Sequence, residues 1–402
     1  MKTREVKLGE VANVKGGKRI PKGIGLINIP NGHPYIRVRD LNNKRLLELD
    51  NSYEYVDNET QKVISKYTVK TGDVVLSIVG TIGLVAIVGR TLDGANLTEN
   101  CVKLSSFHGV NRDFLYYYLR SDCGQQEIRC GTVGAVQAKL PIKNIQNIAI
   151  NLPDYTTQER IASLLLSIDR KIELNQKIND NLEQQAVALF KSWFVDFSLF
   201  GGTVPENWED TTLENITTLI TRGIAPKYSD NSDQTVVNQK CIRNHTIDLS
   251  LARTHTPKAI NEKWLKFGDL LINSTGDGTL GRVAQVWFTP KALTVDSHVT
   301  IVRPAREELI FYIGLWGILH EKEIESLHTG STGQTELPRD RVKMLKLLLP
   351  DDSSLSRFNS IIAPMAPTII SNQEENQKLA SLRDTLLPKL MSGEIDVSNI
   401  QL

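Results

Sequence analysis

Lysine and arginine residues gather at the start of each half of the chain. Residues 1–45 hold eleven Lys and Arg against three acidic residues, and residues 221–266 hold eight against four. The whole chain of 402 residues has a net charge of only +1, so these are local patches. A basic patch on a neutral chain can bind phosphate, although either window alone could be an ordinary solvated surface. Because the feature recurs, we expect a phosphate-binding face in each half.

Residue patterns for catalysis or metal binding do not occur in the sequence. It has no N-P-P-[YF] pattern for methylating a flipped adenine and no G-x-x-x-x-G-K-[ST] phosphate loop, and Gly16-Gly-Lys-Arg19 lacks that spacing. The seven histidines and four cysteines show neither metal-ligand nor C-x-x-C spacing. We therefore expect reduced cysteines, no metal, no cofactor bound by this chain, and no catalysis by the chain alone.

Three phrases of the first half return in the second half at nearly one offset. Gly80-Thr-Ile-Gly-Leu-Val-Ala-Ile-Val88 returns as Gly278-Thr-Leu-Gly-Arg-Val-Ala-Gln-Val286, Gln137-Ala-Lys-Leu-Pro141 as Gln334-Thr-Glu-Leu-Pro338, and Leu152-Pro-Asp154 as Leu349-Pro-Asp351. The offset of 197 or 198 residues exceeds the roughly 20–50 residues of a solenoid repeat and is the size of a domain. The sequence predicts two similar domains.

Short β-like runs broken by Gly, Asn and Asp fill the two predicted domains. Runs such as 73–79 and 84–88, with a helix near 112–121 that recurs near 307–319, predict an α+β fold for each domain. A long helical pattern follows each domain. The predicted order is domain 1–153, helix 154–198, linker 199–207, domain 208–350, helix 351–393 and tail 394–402.

Both long helices carry an apolar seam with two asparagines at its middle. Asn175 and Asn179 take the fifth and sixth of ten seam positions, and Asn372 and Asn376 take the same places 197 residues later. Two such midpoints meet when the helices pair antiparallel, and buried asparagine fixes register at a cost in packing. We predict an antiparallel coiled coil with pseudo-twofold symmetry. The alternative is that these asparagines face solvent.

Local residues refine the prediction for these helices. Thr156-Thr-Gln-Glu159 fits a capping box that opens the first helix. Pro364 and Pro367 interrupt the second seam and predict a short helix 353–363, a bend, and a long helix from about Pro367. Arg383 is a poor seam residue and is expected to extend its charge to solvent at the edge.

The overall composition fits an ordinary globular protein. It has 40% hydrophobic and 23% charged residues. No apolar run approaches the roughly 18 residues of a membrane span, and the start of the sequence has no apolar signal core. We expect a cytoplasmic protein without membrane contact.

With this organisation, several phrases resemble the specificity subunits of type I restriction-modification systems. They are Leu8-Gly-Glu10, Tyr35-Ile-Arg-Val-Arg-Asp-Leu41, Gly72-Asp-Val-Val-Leu-Ser77, Leu152-Pro-Asp-Tyr-Thr-Thr-Gln-Glu-Arg-Ile-Ala162, Lys171-Ile-Glu-Leu-Asn-Gln176 and Leu386-Leu-Pro-Lys-Leu-Met-Ser-Gly-Glu-Ile395. The resemblance covers nearly the whole chain and rests on order, spacing and duplication together.

The resemblance implies a non-catalytic, sequence-specific DNA-binding subunit with two target-recognition domains. Each domain would read one half of a bipartite target in double-stranded DNA. The paired helices would set the unread gap and dock two methyltransferase subunits, and restriction subunits would complete the complex. Adenine-N6 methylation and ATP-dependent cleavage would occur in those partners, which would hold the S-adenosylmethionine, ATP and Mg.

The resemblance also directs attention to residues that can contact DNA. Arg, Lys, Asn and Gln suit base edges, and hydroxyl groups suit phosphates. Candidates in the first domain are Lys15, Lys18, Arg19, Lys22, Arg37, Arg39, Thr81 and Gln137. Candidates in the second are Arg222, Lys227, Gln239, Lys240, Arg243, Asn273, Ser274, Thr275, Thr332 and Gln334. Arg37 and Arg39 are expected to share one side of a strand. The repeated Gly-Thr-x-Gly phrases are interpreted as hairpin turns, with DNA contact as the alternative.

Two other functions remain open at this point. The chain could be a structural adaptor whose helices bridge partners without reading sequence, or the DNA-targeting part of a methyltransferase or nuclease with an activity of its own. Missing catalytic patterns argue against the second. DNA binding that is indifferent to sequence would identify the first.

Overall fold

The chain folds into two compact units. The computed structural model describes residues 3–41, 44–134, 137–330 and 335–397. Unit 1 comprises Met1–Glu173 and Asn376–Leu402, and unit 2 comprises Leu174–Glu375. Each unit contains one domain of mixed helix and sheet together with parts of the two long helices. This confirms the predicted α+β class.

The described residues between 3 and 194 form ten strands and six α-helices. The strands are β1 Thr3–Lys7, β2 Asn13–Gly16, β3 Pro34–Ile36, β4 Leu46–Leu47, β5 Glu54–Tyr55, β6 Val74–Ser77, β7 Val85–Val88, β8 Asn96–Leu97, β9 Cys101–Ser105 and β10 Ala149–Pro153. The helices are α1 Leu8–Val11, α2 Asn58–Ile64, α3 Arg112–Arg120, α4 Asp122–Gly131, α5 Ile142–Gln146 and α6 Tyr155–Phe194.

A similar order of elements follows between residues 209 and 392. The strands are β11 Glu209–Thr212, β12 Thr217–Arg222, β13 Thr235–Val237, β14 Ile242–Arg243, β15 Thr246–Ile247, β16 Arg253–Thr254, β17 Leu270–Asn273, β18 Val283–Gln285, β19 Leu293–Val295, β20 Val299–Pro304 and β21 Lys346–Leu349. The helices are α7 Ile310–Leu319, α8 Glu321–Ser326, α9 Arg339–Lys343, α10 Asp352–Ile362 and α11 Met365–Ser392.

The sheets of the two units share one pairing scheme. Unit 1 has a sheet of order β2-β9-β6-β7-β4 and a second of order β5-β3-β8, and unit 2 has β12-β20-β17-β18 and β16-β13-β19. The register also matches, since Ser77 lies opposite Cys101 and Asn273 lies opposite Val299. The repeat in sequence is therefore a repeat in topology.

The first three residues of each central strand are apolar because both faces of the strand are covered. In β6, Val74 and Leu76 belong to one hydrophobic core, whereas Val75 belongs to another. In β17, Leu270 and Ile272 share one core and Leu271 lies in a second. Successive side chains of a strand point to opposite faces, so burial of both faces requires an unbroken apolar run.

Helix α6 begins at Tyr155, two residues earlier than the predicted capping box at Thr156 allows. The carboxylate of Asp154 accepts hydrogen bonds from the Thr157 backbone N–H at 3.0 Å and from the Thr157 hydroxyl at 2.7 Å. Asp154 is thus the residue that caps the helix, and the prediction that Thr156 does so was wrong. A carboxylate next to the positive end of the helix also interacts favourably with the helix dipole.

The predicted break in the second helical segment is confirmed. Helix α10 ends at Ile362 and α11 begins at Met365, so Pro364 lies between them and Pro367 lies in the first turn of α11. A proline in the first turn loses no intrahelical hydrogen bond. Helix α11 ends at Ser392, before Gly393 with φ +78°.

In unit 2 the two long helices pair antiparallel through the seam asparagines. Asn175 donates to Glu375 at 2.7 Å, and Asn179 donates to the Ile369 carbonyl at 3.2 Å. The Asn372 amide donates to the Asn179 side-chain oxygen at 2.8 Å. Asn175 and Asn179 are 0% and 7% exposed, which rules out the alternative that they face solvent.

In unit 1 the same helices are joined by an ion pair. Arg383 donates to the Asp169 carboxylate at 2.9 Å, and the Tyr117 hydroxyl donates to its other oxygen at 2.6 Å. The Arg383 side chain is 20% exposed and that of Asp169 is 6% exposed. The prediction that Arg383 extends to solvent was wrong, because a buried carboxylate on the facing helix binds its guanidinium.

Two further expectations concern cysteines and membranes. The four cysteines form no disulfide, and Cys101 and Cys241 are buried. Within the described ranges, no helix combines the length and apolarity needed to cross a bilayer.

The Arg383–Asp169 pair predicts a stability defect. Arg383→Met leaves the buried Asp169 carboxylate without its cation, which costs about 3–5 kcal/mol when a buried pair loses one member. We expect a lower urea midpoint by circular dichroism, with partial recovery in the double variant Asp169→Asn/Arg383→Met. Lys62→Ala removes only an exposed pair and is the control, which should leave the midpoint unchanged. Equal midpoints for the single and double variants would contradict this account.

The asparagine contacts generate a second prediction. Asn179→Leu deprives the Asn372 amide of its acceptor and should destabilise unit 2 by about 1–3 kcal/mol, whereas Asn179→Leu/Asn372→Leu should recover part of this through apolar packing. Thermal unfolding of both variants measures the difference. A single variant as stable as the parent would show that the hydrogen bond contributes nothing.

Candidate nucleic-acid interface

One turn in unit 1 holds together the loops that carry most of the predicted DNA-binding residues. We call Leu97–Cys101 the anchoring turn of unit 1. Four backbone N–H···O bonds of 2.8–3.0 Å attach other segments to it: Lys18 to Leu97, Gly17 to Cys101, Ile78 to Asn100, and Thr98 to Ile36. Because these bonds join main-chain atoms, they do not depend on the side chains that the loops present.

Unit 2 repeats the arrangement bond for bond. Its anchoring turn is Val295–Val299. The four corresponding bonds are 2.8–3.1 Å long: Ile224 to Val295, Gly223 to Val299, Ser274 to His298, and Asp296 to Val237. The two turns therefore define equivalent positions even where the sequences have diverged.

A glycine is required where the first loop crosses each anchoring turn. A Cβ atom on Gly17 would lie 2.1 Å from the Thr98 carbonyl oxygen, and one on Gly223 would lie 1.9 Å from the Val295 carbonyl oxygen. Such distances are far inside van der Waals contact. The Gly16–Gly17 pair that superficially resembles a phosphate loop is explained by this close approach of two backbones.

The predicted cations of unit 1 surround its turn and interact with carboxylates. Arg19 donates to Glu99 at 2.6 Å, and Arg37 and Arg39 both bond to Glu54. Burial is the largest influence on the pKa of Glu99 and raises it, but hydrogen bonds from Arg19, Thr98 and the backbone, with the charge of Arg19, together outweigh burial and lower that pKa. The Arg19 side chain is exposed, so its pair with Glu99 is weak in water, whereas the pair between Arg37 and Glu54 is partly buried.

The strand predicted to carry Arg37 and Arg39 ends before them. Strand β3 stops at Ile36, and Arg39 lies in the 3-10 turn Val38–Leu41. Inside this turn the Asp40 carboxylate accepts the Arg37 backbone N–H at 2.7 Å, and burial raises the pKa of Asp40 to about 6. The turn brings the two guanidinium groups together, so the expected geometry was wrong although the residues do converge.

The remaining candidates of unit 1 are exposed on segments around the turn. Lys15 lies on β2, and Lys22 lies on the loop that follows β2. Gln137 lies two residues before Lys139, which forms isolated β-bridges with Val79 and Val133. Thr81 lies in the β6–β7 turn, where Gly80 and Gly83 have φ of +77° and +93°. The Thr81 carbonyl accepts the Ser77 hydroxyl at 2.6 Å, which supports the hairpin interpretation of this phrase.

In unit 2 the structure brings together Gln239, Thr275 and the anchoring turn. The Thr275 hydroxyl lies 3.2 Å from the Gln239 side-chain oxygen and 2.7 Å from His298 Nδ1. Lys240 is exposed beside Gln239, and Lys227 is exposed on the loop that follows Ile224. This group is polar but carries fewer charges than its counterpart in unit 1.

Six other predicted residues of unit 2 need correction or separate placement. Asn273 and Ser274 are fully buried, with Asn273 bonded to the Gln239 and Thr279 carbonyls and Ser274 to Thr300. They support the fold and cannot reach DNA, so those predictions were wrong. Arg222 is bound to the Leu337 carbonyl at 2.9 Å and to Glu336 at 2.6 Å. Arg243 lies on the β14–β15 hairpin, next to His245, which pairs with Glu321. Thr332 and Gln334 lie outside the described residues.

Sequence reasoning missed three residues at the turn of unit 2. The Lys263 and Lys258 ammonium groups donate to the Gly223 and Ala225 carbonyls at 3.0 and 3.1 Å. His298 lies on the turn itself. Both lysines fall within the basic window 221–266. The offset between the two halves changes along the sequence, so an alignment without gaps could not assign these lysines to the turn. Gly17 corresponds to Gly223, 206 residues later, while Leu97 corresponds to Val295, 198 residues later.

Equivalent positions carry different chemistry in the two units. Arg37, Arg39, Glu99 and Asn100 correspond to Asn238, Lys240, Ser297 and His298. The two sites share one backbone arrangement but differ in their hydrogen-bond donors and acceptors. Such sites are suited to two ligands of one chemical class that differ in their own donors and acceptors.

A cleft elsewhere in unit 2 differs from this surface. Its volume is about 470 Å³, and its lining includes Glu183, Trp287 and Leu315 but none of the anchoring turn. Burial, aided by Asp180 and opposed by His245, raises the pKa of Glu183 to about 7. Across the part of the chain that the structure describes, no cluster of His, Cys, Asp or Glu could hold a metal ion.

Comparison with known proteins agrees with the duplicated fold. A model of the type I restriction modification DNA specificity domain matches residues 2–184. The chain is 25% identical to the MjaIX specificity subunit of Methanocaldococcus jannaschii over 91% of this chain and 88% of that protein. The chain is therefore similar to the specificity subunits of type I restriction-modification systems, and residues 2–184 match their DNA specificity domain.

Two further likenesses extend over much of the chain. It is 23% identical to the HindI specificity subunit of Haemophilus influenzae, across 67% of this chain and 73% of that one. The crystal structure of a type I restriction-modification S subunit from M. genitalium matches 97% of this chain and 96% of its own with a TM-score of 0.58 at 16% identity, which shows a shared fold.

The close approach at Gly17 makes the frame testable. Gly17→Ala should displace the loop that follows β2, or the anchoring turn, because the added Cβ overpacks the crossing. We expect unit 1 to be destabilised by about 1–3 kcal/mol. Gly25→Ala is the matched control in the same loop, because a Cβ there meets no atom within 4 Å. Urea unfolding measures both. If the two variants unfold alike, the crossing does not constrain the unit.

Proposed function

We propose that this subunit binds double-stranded DNA and reads a bipartite target, with the loops around each anchoring turn reading one half. The observation that carries the proposal is the repeated set of four backbone bonds, around which the side chains differ. A common frame presents both reading surfaces in the same way. The differing side chains allow the two halves of the target to have different sequences.

The charge around the turns supports binding to DNA. Lys15, Lys18 and Lys22 are exposed near the first turn, and Lys227 and Lys240 are exposed near the second. Exposed lysines release counterions from the DNA backbone and give affinity without sequence preference. Arginines and amides nearer the turns are suited to base edges, which supply the preference.

We further propose that the chain assembles with two methyltransferase subunits and with restriction subunits and performs no catalysis of its own. S-adenosylmethionine, ATP and Mg would bind to those partners, which would methylate adenine N6 and cleave DNA. The lack of a methyl-transfer or phosphate-loop pattern in the sequence supports this division. The name "specificity subunit" of the relatives agrees with it.

Mapping DNA methylation tests this function. The chain is expressed with its cognate methyltransferase subunit, and N6-methyladenine is mapped across the host genome, with the methyltransferase subunit alone as the control. We expect methylation only in the presence of the chain, at a bipartite motif with a fixed gap. Scattered or absent methylation would overturn the proposal.

The same preparation distinguishes the two alternatives. An adaptor that does not read sequence would bind motif and non-motif DNA equally at one salt concentration. A chain with its own activity would transfer methyl groups or cleave DNA when purified alone. We expect neither result.

A further inference from the structure

Three hydrogen-bonded polar side chains form a chain across the surface of unit 2 at its anchoring turn. His298 lies on the turn, its side chain is exposed, and its Nδ1 is 2.7 Å from the Thr275 hydroxyl oxygen. The same hydroxyl is 3.2 Å from the Gln239 side-chain oxygen. These residues come from three separate segments that the four backbone bonds hold together.

Counting protons along this chain fixes the state of the histidine ring. The amide oxygen of Gln239 can only accept, so the single hydroxyl proton of Thr275 is donated to it. The Thr275 oxygen must then accept a proton from His298 Nδ1. In a neutral imidazole this leaves Nε2 as an acceptor, pointing away from the chain.

The backbone of His298 is also held in place. Its N–H donates to the buried Asp296 carboxylate at 2.9 Å, and its carbonyl accepts the Ser274 N–H at 2.8 Å. Glycine at position 276 leaves room for the Gln239 side chain, because a Cβ atom on Gly276 would lie 2.8 Å from the Gln239 amide nitrogen. A side chain with one ring hydrogen bond, on a backbone held at both its N–H and its C=O, loses little conformational freedom when it binds.

The equivalent positions in unit 1 carry no such chain. Val38, Val79 and Asn100 take the places of Gln239, Thr275 and His298, as the matching backbone bonds show. The chain is thus a property of one unit, which is what a residue that distinguishes one half-site from the other requires.

We propose that His298 reads a base of the half-site bound by unit 2, with Thr275 and Gln239 as positioning residues that fix its ring. This inference rests on the proposed function. The Nε2 acceptor is suited to an exocyclic amino group, either N4 of cytosine or N6 of adenine, in the major groove. Loss of one such hydrogen bond raises methylation of sites with the wrong base at that position by roughly fivefold to tenfold relative to correct sites.

The test uses the full chain with its methyltransferase subunit and the methylation map described above. His298→Ala should relax one position in one half of the motif and leave the gap and the other half unchanged. Thr275→Val removes the hydroxyl at nearly constant volume and should relax the same position. Thr275→Ser restores the hydroxyl and should restore the preference. A merely structural role for Thr275 would not single out one base position.

His108→Ala is the matched control, because His108 is an exposed histidine of unit 1 outside the anchoring turn. It should retain the parent motif. The inference is overturned if His298→Ala leaves the motif unchanged, or if His298→Ala and Thr275→Val relax different positions. In either case a bipartite motif directed by the parent chain leaves the proposed function intact. A parent chain that directs no motif would overturn both.

Discussion

The structure depends on the backbone hydrogen bonds of the anchoring turn. Each turn binds loops that are far apart in sequence, and every bond is made by main-chain N–H and C=O groups, which all residues except proline provide. The one sequence requirement is a glycine where the two backbones cross, which is Gly17 in unit 1 and Gly223 in unit 2. A frame of this kind permits the surrounding side chains to change without loss of the fold.

That freedom explains why the two units present such different surfaces. Around the first turn, arginines are oriented by Glu99 and Glu54. Carboxylate partners restrict the conformations of these guanidinium groups. Around the second turn, Gln239, Thr275 and His298 form a chain of hydrogen-bonded polar side chains, and Lys258 and Lys263 bind backbone carbonyls. Side chains around the first turn are therefore held by ion pairs, and side chains around the second turn are held by hydrogen bonds.

The long helices use polar contacts for a different purpose. In unit 1, Asp169 and Arg383 face each other, while the positions 197 residues away are Ala366 and Ala186, both buried in unit 2. A buried ion pair contributes little net stability, but it strongly disfavours arrangements that leave one charge alone. The asparagines of unit 2 act similarly, because a shifted helix would leave their amides without partners. These contacts specify which residues pair, and apolar packing supplies most of the stability.

The sequence by itself determined the duplication, the α+β class, the long helices and the proline break. These follow from period, apolar spacing and residues with strong backbone preferences, which act locally. The sequence also placed cations near the right loops, since charge clusters along the chain. Only the tertiary structure decided that Asn273 and Ser274 are buried, that Asp169 binds Arg383, and that His298 joins Thr275 and Gln239. Those contacts link residues tens to hundreds of positions apart, and insertions between the turns shift the repeat, so no local pattern records them.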